Sequence, residues 1–235
     1  MNERIRPAAD ASSWGPALDE AVAVVARGGL VVLPTDTVYG IGADAFSPPA
    51  VQALLDAKGR GRQMPPPVLI ADVRTLDGLA TDVPAHARLL AERFWPGGLT
   101  LVVQAQPSLA WDLGETNGTV ALRVPDHATA RALLRRTGPM AVSSANRTGR
   151  PAAVTAQEAH DQLGERVAVY LDAGAAPGQV SSTIVDATGG RLRVLRAGAL
   201  SLEQLREVAP VDGPDDEPAP PARPGSDESA GSAAG

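Results

Sequence analysis

Residues 30–42 read LVVLPTDTVYGIG, an apolar run that passes without a linker into hydroxyl, carboxylate and phenol side chains. The apolar residues 30–33 predict a short strand that is buried on both faces. In α/β sheets, ligands bind in the crevice beyond the carboxyl ends of the strands. We therefore expect residues 34–42 to line a binding site, with Gly40 and Gly42 allowing close approach of the backbone. The alternative is a polar connection whose glycines adopt unusual φ angles.

On both sides of this strand, helical and strand patterns alternate along the chain. Helices are predicted at residues 17–27, 48–58, 85–94, 129–136, 156–163 and 202–208, with Ser47, Thr155 and Ser201 as caps. Further strands are predicted at residues 68–70, 99–104, 119–124, 140–143, 167–171, 182–185 and 192–195. This alternation predicts an α/β domain with a mixed sheet over residues 15–210, preceded by an N-terminal extension, residues 1–14.

Composition narrows the classes of protein. The chain has 235 residues and no cysteine, which excludes disulfides and thiolate chemistry. No apolar run approaches the ~20 residues of a membrane span, and residues 1–10 lack the apolar core of a signal peptide, so we expect a cytoplasmic protein. Of the net charge of −6, six acids and one base from residue 212 onward contribute −5, which leaves −1 for residues 1–211. Residues 211–235, rich in Pro, Gly, Ala and Ser, are predicted to be a disordered acidic tail.

The single lysine of the chain lies in a dense basic cluster. Residues 58–62 read KGRGR, whereas the other cations of the chain are arginines. Lysine and arginine together are typical of phosphate sites, because one offers a point charge and the other a planar fork. Lys58, Arg60 and Arg62 therefore predict a polyphosphate ligand, although this is not a Walker-A loop. A solvated basic turn at the end of a helix is the alternative.

Three later segments place polar groups at strand ends. Residues 141–150 read AVSSANRTGR and offer hydroxyl, amide and guanidinium groups that suit phosphate or a purine. Residues 178–185 read GQVSSTIV, and Arg196 follows the strand predicted at residues 192–195. Each is also compatible with a tight turn or with a surface arginine.

Taken in order, these motifs resemble the YrdC-like family, the threonylcarbamoyl-AMP synthases that start the N6-threonylcarbamoyladenosine modification of tRNA. The matching segments are residues 34–42, the pair Lys58 and Arg60, residues 94–97, residues 120–125, the pair Ser144 and Asn146, residues 182–184 and residues 195–196. They cover residues 15–208. The resemblance implies an open, twisted sheet with flanking helices and a concave cleft, in a short form without the extra C-terminal domain of longer members.

The resemblance also implies a reaction and a site. The family joins L-threonine, bicarbonate or CO₂, and ATP with Mg²⁺, and releases pyrophosphate; no protein-ligated metal is expected. By position, ATP would be held by Lys58, Arg60, Ser144, Asn146 and Arg196, with Lys58 and Arg60 as the catalytic pair on the phosphates and Arg150 nearby. The charge argument adds Arg62. Threonine would be held by Thr35, Arg123 and Ser182, with Arg123 on its carboxylate and Tyr39 lining the pocket.

The chain departs from the family pattern in three places. Asp36 replaces the usual Glu, Arg196 is followed by Ala197 instead of Pro, and residues 64–71 read MPPPVLIA without the family's Asn and His.

Two rival functions are open. One is a paralogue that binds nucleotide or double-stranded RNA without threonine chemistry, against which the near-neutral domain argues. The other is a scaffold acting through its acidic tail. The resemblance implies a functional link to the tRNA threonylcarbamoyl transferase complex, to which the family's product goes, and leaves contact of this chain with that complex open. We expect weak binding of tRNA and no membrane contact.

Overall fold

The computed structural model describes residues 3–12 and 14–216. Within these ranges the strands are β1 (Ile5–Pro7), β2 (Val31–Leu33), β3 (Gly40–Asp44), β4 (Val68–Leu69), β5 (Ala80–Thr81), β6 (Leu99–Ala105), β7 (Thr119–Arg123), β8 (Met140–Ser144), β9 (Val169–Asp172), β10 (Thr183–Asp186), β11 (Leu192–Arg196) and β12 (Val211–Asp212). The α-helices are α1 (Trp14–Ala26), α2 (Pro48–Lys58), α3 (Leu76–Leu79), α4 (Ala85–Phe94), α5 (Ala128–Thr137), α6 (Ala156–Leu163) and α7 (Leu202–Arg206).

All the described strands join one open mixed sheet. Its order is β1-β9-β2-β3-β8-β4-β7-β6-β10-β11-β12, and β5 pairs with β6. Strands β9 and β2, β4 and β7, and β6 and β10 run parallel, whereas β3 pairs antiparallel with both β2 and β8. Helices pack on the sheet, so the predicted α/β class with an open mixed sheet and flanking helices is confirmed.

Several helix ends lie where local signals predicted, although Ser47, the expected cap of α2, forms no side-chain capping bond, and α3 was not predicted. Helix α2 stops at Lys58 because Gly59 adopts a left-handed conformation, with φ 62°, and caps the helix. Helix α6 starts after Thr155, whose hydroxyl accepts a hydrogen bond from the Glu158 amide. Helix α7 is opened by a capping box between Ser201 and Gln204. These signals are local, which is why the sequence displays them.

Four strands, β1, β3, β5 and β12, were not predicted, and β3 is the longest of them. Residues 40–44 form β3, although the pattern suggested a loop with close backbone approach or glycines at unusual φ. Neither Gly40 nor Gly42 has a positive φ angle. Their role is to leave space, because a Cβ on Gly40 would lie 2.5 Å from Val142 Cγ1 and one on Gly42 would lie 2.8 Å from Met140 Cε.

Both chain ends extend further into the sheet than predicted. Residues 5–7, assigned to an N-terminal extension, pair with β9 as β1. Residues 211–212, assigned to the tail, pair with β11 as β12, and Arg206 forms an ion pair with Asp216. The folded part therefore reaches residue 216. The rest of the predicted disordered tail lies outside the described residues.

The apolar core lies on both faces of the sheet. Val31 and Leu33 of β2 pack in a cluster with α1 and α5 residues, whereas Val32 packs in a cluster with α2 and α6 residues. A third cluster joins α4 and α7 to β6, β7, β10 and β11. Strand β2 is therefore buried on both faces as predicted. Among the described helices, none is long and apolar enough to cross a membrane.

Candidate functional site

A cavity of about 330 Å³ opens where polar side chains end several strands. Its walls come from the β2–β3 connection and from β4, β6, β7, β8, β10 and β11. Seven of the eleven predicted site residues line it, namely Thr35, Tyr39, Arg60, Arg123, Ser144, Ser182 and Arg196. The structure thus brings together side chains from positions 35 to 196, whereas the sequence shows only the order in which they follow one another along the chain.

Arg123 ends β7 and forms hydrogen bonds to three other residues. Its Nε donates to Gly97 O at 2.9 Å, one terminal nitrogen donates to Thr37 Oγ1 at 2.9 Å, and the other donates to Asp36 Oδ1 at 2.6 Å. Arg123 is 6% exposed. Burial lowers its pKa, whereas the carboxylate of Asp36 raises it. An arginine retains its charge under such conditions, so the cavity holds a fixed, buried guanidinium.

The β2–β3 connection supports this arginine. Thr35 Oγ1 donates to Val38 O at 2.6 Å and lies 3.0 Å from Thr37 Oγ1, while the Thr37 amide donates back to Thr35 Oγ1. Asp36 Oδ1 also accepts from the Asp126 amide at 2.9 Å. The PTDT segment is therefore a preorganised turn that carries Arg123 on one side and presents Thr35 to the cavity on the other.

Arg60 also lines the cavity. One terminal nitrogen donates to Ser143 Oγ at 2.8 Å, whereas Nε is buried and has no hydrogen-bond partner among the described residues. Burial lowers the pKa of Arg60, and nearby Arg196 lowers it further. A buried donor without an acceptor is unfavourable unless a ligand supplies one.

Arg196 ends β11 and is fixed to the neighbouring strand. Its Nε and one terminal nitrogen both donate to Ser182 O, at 3.2 and 2.7 Å. The Ser182 hydroxyl lies 3.2 Å from the same terminal nitrogen and 2.8 Å from Thr100 Oγ1. Ser182 therefore serves as the anchor of Arg196, and the two occupy the cavity wall as one unit.

The charges of the cavity are unbalanced. Arg60, Arg123 and Arg196 all line it, but no Asp or Glu of the described residues does so. Asp36 neutralises Arg123 from outside the lining and is mostly buried itself. Two uncompensated guanidiniums remain in a partly desolvated space. Such an arrangement favours an anionic ligand.

Lys58 does not line the cavity. The residue is 3% exposed, and its ammonium donates to Ser144 O at 2.5 Å, to Asn146 O at 2.6 Å and, at 3.4 Å, to Asn146 Oδ1. Burial and the neighbouring Arg60 lower the pKa of Lys58 to about 8. The residue that the sequence placed on the phosphates is therefore bonded to main-chain and amide oxygens of the β8–α6 turn.

Three more of the predicted ATP contacts lie outside the cavity lining. The side-chain amide nitrogen of Asn146, Nδ2, donates to Arg147 O and Arg150 O. Arg150 itself lies on an exposed turn. Arg62 forms an ion pair with Asp112 at 2.5 Å, and its carbonyl accepts from the Glu115 amide. Arg62 thus joins the basic loop to the β6–β7 loop.

Comparison with known proteins matches this site to a family. The sequence profile of the family Sua5/YciO/YrdC, described as "Telomere recombination", matches residues 23–198. The chain belongs to the Sua5/YciO/YrdC family. The resemblance read from the motifs is therefore confirmed.

Individual members of the Sua5/YciO/YrdC family resemble the chain over most of its length. It is 55% identical over 204 residues to a Mycobacterium tuberculosis protein named putative threonylcarbamoyl-AMP synthase, covering 87% of this chain and 94% of that one. It is 38% identical over 200 residues to the Bacillus subtilis threonylcarbamoyl-AMP synthase, covering 84% and 58%. The crystal structure of Pyrococcus abyssi Sua5 complexed with L-threonine matches with a TM-score of 0.83 and 33% identity, covering 88% and 62%. The chain thus spans nearly all of the mycobacterial protein but about three fifths of the other two.

In this Sua5/YciO/YrdC member, the residues that hold the predicted site residues in place were not themselves predicted from the sequence. Thr37 accepts from Arg123, Ser143 accepts from Arg60, and Thr100 bonds Ser182. Thr37 and Ser143 stand beside predicted residues within the quoted motifs, so their spacing was a usable signal. Thr100 lies inside a strand and gives none.

Two further features qualify the predicted pocket. Tyr39 lines the cavity, but its hydroxyl donates to Gly174 O at 2.6 Å and accepts from the Ala173 amide, and burial raises its pKa to about 12. Tyr39 can therefore offer its ring but not its hydroxyl. The segment without the family's Asn and His supplies Pro65, Pro66, Pro67 and Leu69, which form an apolar wall.

Proposed function

We propose that this Sua5/YciO/YrdC protein is an L-threonylcarbamoyladenylate synthase. It would join L-threonine, bicarbonate or CO₂, and ATP into threonylcarbamoyl-AMP and pyrophosphate, the first step of tRNA N6-threonylcarbamoyladenosine formation. The observation that carries the proposal is the carboxylate-free cavity with three guanidiniums, in a chain 55% identical to a protein named for this activity. The carbamate formed from threonine and the triphosphate of ATP are both anions, and the guanidiniums of the cavity suit anions.

The chemistry requires no covalent nucleophile from the protein. The neutral amine of threonine adds to CO₂, loses a proton and becomes a carbamate. A carbamate oxygen then attacks the α-phosphorus of ATP, and the bond to the β-phosphate oxygen breaks to release pyrophosphate. The protein must hold two anions in line against their repulsion. Preorganised donors in a partly desolvated cavity provide such stabilisation.

The geometry suggests how the residues divide this task. Asp36, Thr37 and Gly97 take three of the five N–H donors of Arg123, so two remain for the carboxylate of threonine. The unpartnered Nε of Arg60 suits a phosphate oxygen. Arg196, whose charge is close enough to influence both Arg60 and Arg123, would act between the two substrates.

Magnesium would enter with the nucleotide. Among residues 3–12 and 14–216, no three His, Cys, Asp or Glu side chains gather as metal ligands. We infer that Mg²⁺ is part of the substrate, Mg·ATP, where oxygens of the phosphates bind it.

The product would serve a later enzyme. Threonylcarbamoyl-AMP is an activated acyl donor, so the reaction that consumes it must transfer the threonylcarbamoyl group to an acceptor amine, here the adenosine of a tRNA. The tRNA threonylcarbamoyl transferase complex is the partner expected for that step. Cytoplasmic location and weak direct binding of tRNA stay predictions.

The test is pyrophosphate release from Mg·ATP by the purified full chain, with and without L-threonine and bicarbonate. We expect release to require both, and L-serine to support less. A chain that ends at residue 216 should retain the activity, since every residue that lines the cavity precedes that position; loss would favour a function of the acidic tail. Binding of ATP without pyrophosphate release would favour the alternative of a nucleotide- or double-stranded-RNA-binding paralogue.

A further inference from the structure

The ammonium group of Lys58 has no donor left for a ligand. An ammonium offers three N–H donors, and three oxygens accept from it: Ser144 O, Asn146 O and Asn146 Oδ1. Among the described residues no carboxylate forms an ion pair with it. Its surroundings are therefore those of a cation that binds backbone, at a site that is closed without any ligand.

Both the side chain and the main chain of Lys58 form hydrogen bonds to the β8–α6 turn. The Thr148 amide donates to Lys58 O at 2.9 Å, so the main chain of the β8–α6 turn is bonded to the main chain at the end of α2. Asn146 also closes the turn by donating from its Nδ2 to Arg147 O and Arg150 O. The turn is thus wrapped around one side chain.

Arg60, two residues later, has the opposite environment. Its amide donates to Leu55 O, which fixes its backbone to the end of α2, and its side chain lines the cavity with an unpartnered Nε. The two neighbouring cations of the KGRGR segment therefore have separate tasks. One faces the cavity and the other faces the turn that carries Ser144.

We infer that Lys58 is a positioning residue that holds the β8–α6 turn, residues 144–148, against the end of α2, and that it does not contact the phosphates of ATP. The inference rests on the proposed function for the identity of the ligand. Lys58 acts through Ser144, which lines the cavity, and through the placement of Arg60 beside Ser143. Loss of the tether would loosen the whole wall, and all parts of the nucleotide would lose affinity together.

The single lysine allows a direct test in the wild-type chain. Labelling with ¹⁵N-lysine marks one side-chain ammonium. We expect its protons to exchange slowly with water in the free protein, and its resonance to show no coupling to phosphorus when ATP is added. A ³¹P coupling to Lys58 Nζ, or an ammonium that becomes protected only with ATP, would overturn the inference.

A matched pair of charge-conserving variants gives the second test. Lys58→Arg keeps the cation but puts a planar fork where three oxygens converge on a point charge. We expect it to weaken adenosine and ATP by the same factor, about tenfold, and to speed hydrogen exchange of the amides of residues 145–148. Arg60→Lys should weaken ATP and leave adenosine binding unchanged.

The outcomes separate cleanly. A Lys58→Arg variant that weakens ATP but not adenosine, with unchanged exchange in the turn, would make Lys58 a phosphate ligand. If Lys58→Arg fails to fold, the wild-type resonance still decides. If the wild-type chain binds no ATP at all, the proposed function fails, whereas slow exchange of the ammonium in the free protein would still support the tether.

Discussion

The cavity wall at Arg123 and the turn at Lys58 solve the burial of a cation in different ways. Arg123 is held by a carboxylate, a hydroxyl and a carbonyl, and two of its donors stay available. Lys58 is held by three neutral oxygens and has none available. The first arrangement neutralises the cation and leaves two donors without a protein acceptor, whereas the second uses the cation to bind two parts of the chain together. Burial of a basic residue near a cavity is therefore poor evidence that it binds the ligand.

Removing Arg123 should have the largest effect. Arg123→Gln leaves Asp36 buried without its partner, and breaking such a pair destabilises a fold by about 3–5 kcal/mol. Threonine-dependent pyrophosphate release should fall at least about a hundredfold, since a desolvated charge pair with the carboxylate is lost. Thermal unfolding and steady-state kinetics at varied threonine measure the two effects.

A double variant separates stability from binding at Arg123. Asp36→Asn with Arg123→Gln removes the unpaired charge and should recover much of the unfolding temperature. Activity should stay low. Recovery of activity together with stability would mean that Arg123 supports the fold and does not contact threonine.

Arg60→Gln should come next and should act on the nucleotide. Its charge-assisted contacts are each worth about 1.5–3 kcal/mol, so ATP affinity should fall by about tenfold to a hundredfold. The unfolding temperature should change little, because among the described residues the side chain of Arg60 forms a hydrogen bond to Ser143 alone. Calorimetric titration with ATP and adenosine checks this, and an equal loss for both ligands would contradict a phosphate contact.

The pKa of Lys58 predicts an effect of pH on stability. The folded state lowers this pKa from 10.5 to about 8. Between these values the unfolded chain binds more protons, so the free energy of unfolding should rise as the pH rises from 8 to 10.5, by about 3 kcal/mol at most. Below pH 8 both states hold the proton, and this group adds no slope.

The measurement compares wild type with Lys58→Met by denaturant unfolding at pH 7.5, 9 and 10.5. The variant should lack the upward trend, and other titrating groups cancel in the difference between the two curves. Nucleotide affinity should move the other way in wild type, since deprotonation removes the tether of the turn. Parallel stability curves would contradict the burial of a charged Lys58.

The smallest effect is expected at Arg62. Its ion pair with Asp112 is partly exposed on both sides, and such pairs contribute about 0–1 kcal/mol. Arg62→Gln should change ATP affinity less than twofold and stability by less than about 1 kcal/mol. A loss as large as that of Arg60→Gln, in the same titration, would place Arg62 on the phosphates after all.

The elements with local signals were predictable. Helix α4 matches the predicted residues 85–94, and α2 ends at the lysine before Gly59, because caps and apolar spacing are visible in single segments. Strand β3 was not predictable, because its glycines signal a turn until β8 is placed beside them. Strands β1 and β12 are two or three residues long and exist through partners far along the chain.

The site divides along the same line. Residue types at strand ends predicted which segments meet, and seven of the eleven named residues do line the cavity. Which way each side chain faces was beyond the sequence. The acceptors of Lys58 lie 86 and 88 residues away, so its orientation depends on how the β8–α6 turn meets α2.

The β6–β7 loop gives the protein an optical signal of its own. Trp111 of that loop stacks on Phe46 with ring centroids 5.5 Å apart, while Leu113 and Thr116 of the same loop line the cavity. The chain has three tryptophans, and Trp95 is buried with its Nε1 bonded to Leu99 O. A ligand that shifts this loop would change the stacking of Trp111 and hence its emission. Each substrate could then be followed by intrinsic fluorescence, in the order in which it arrives and without any label.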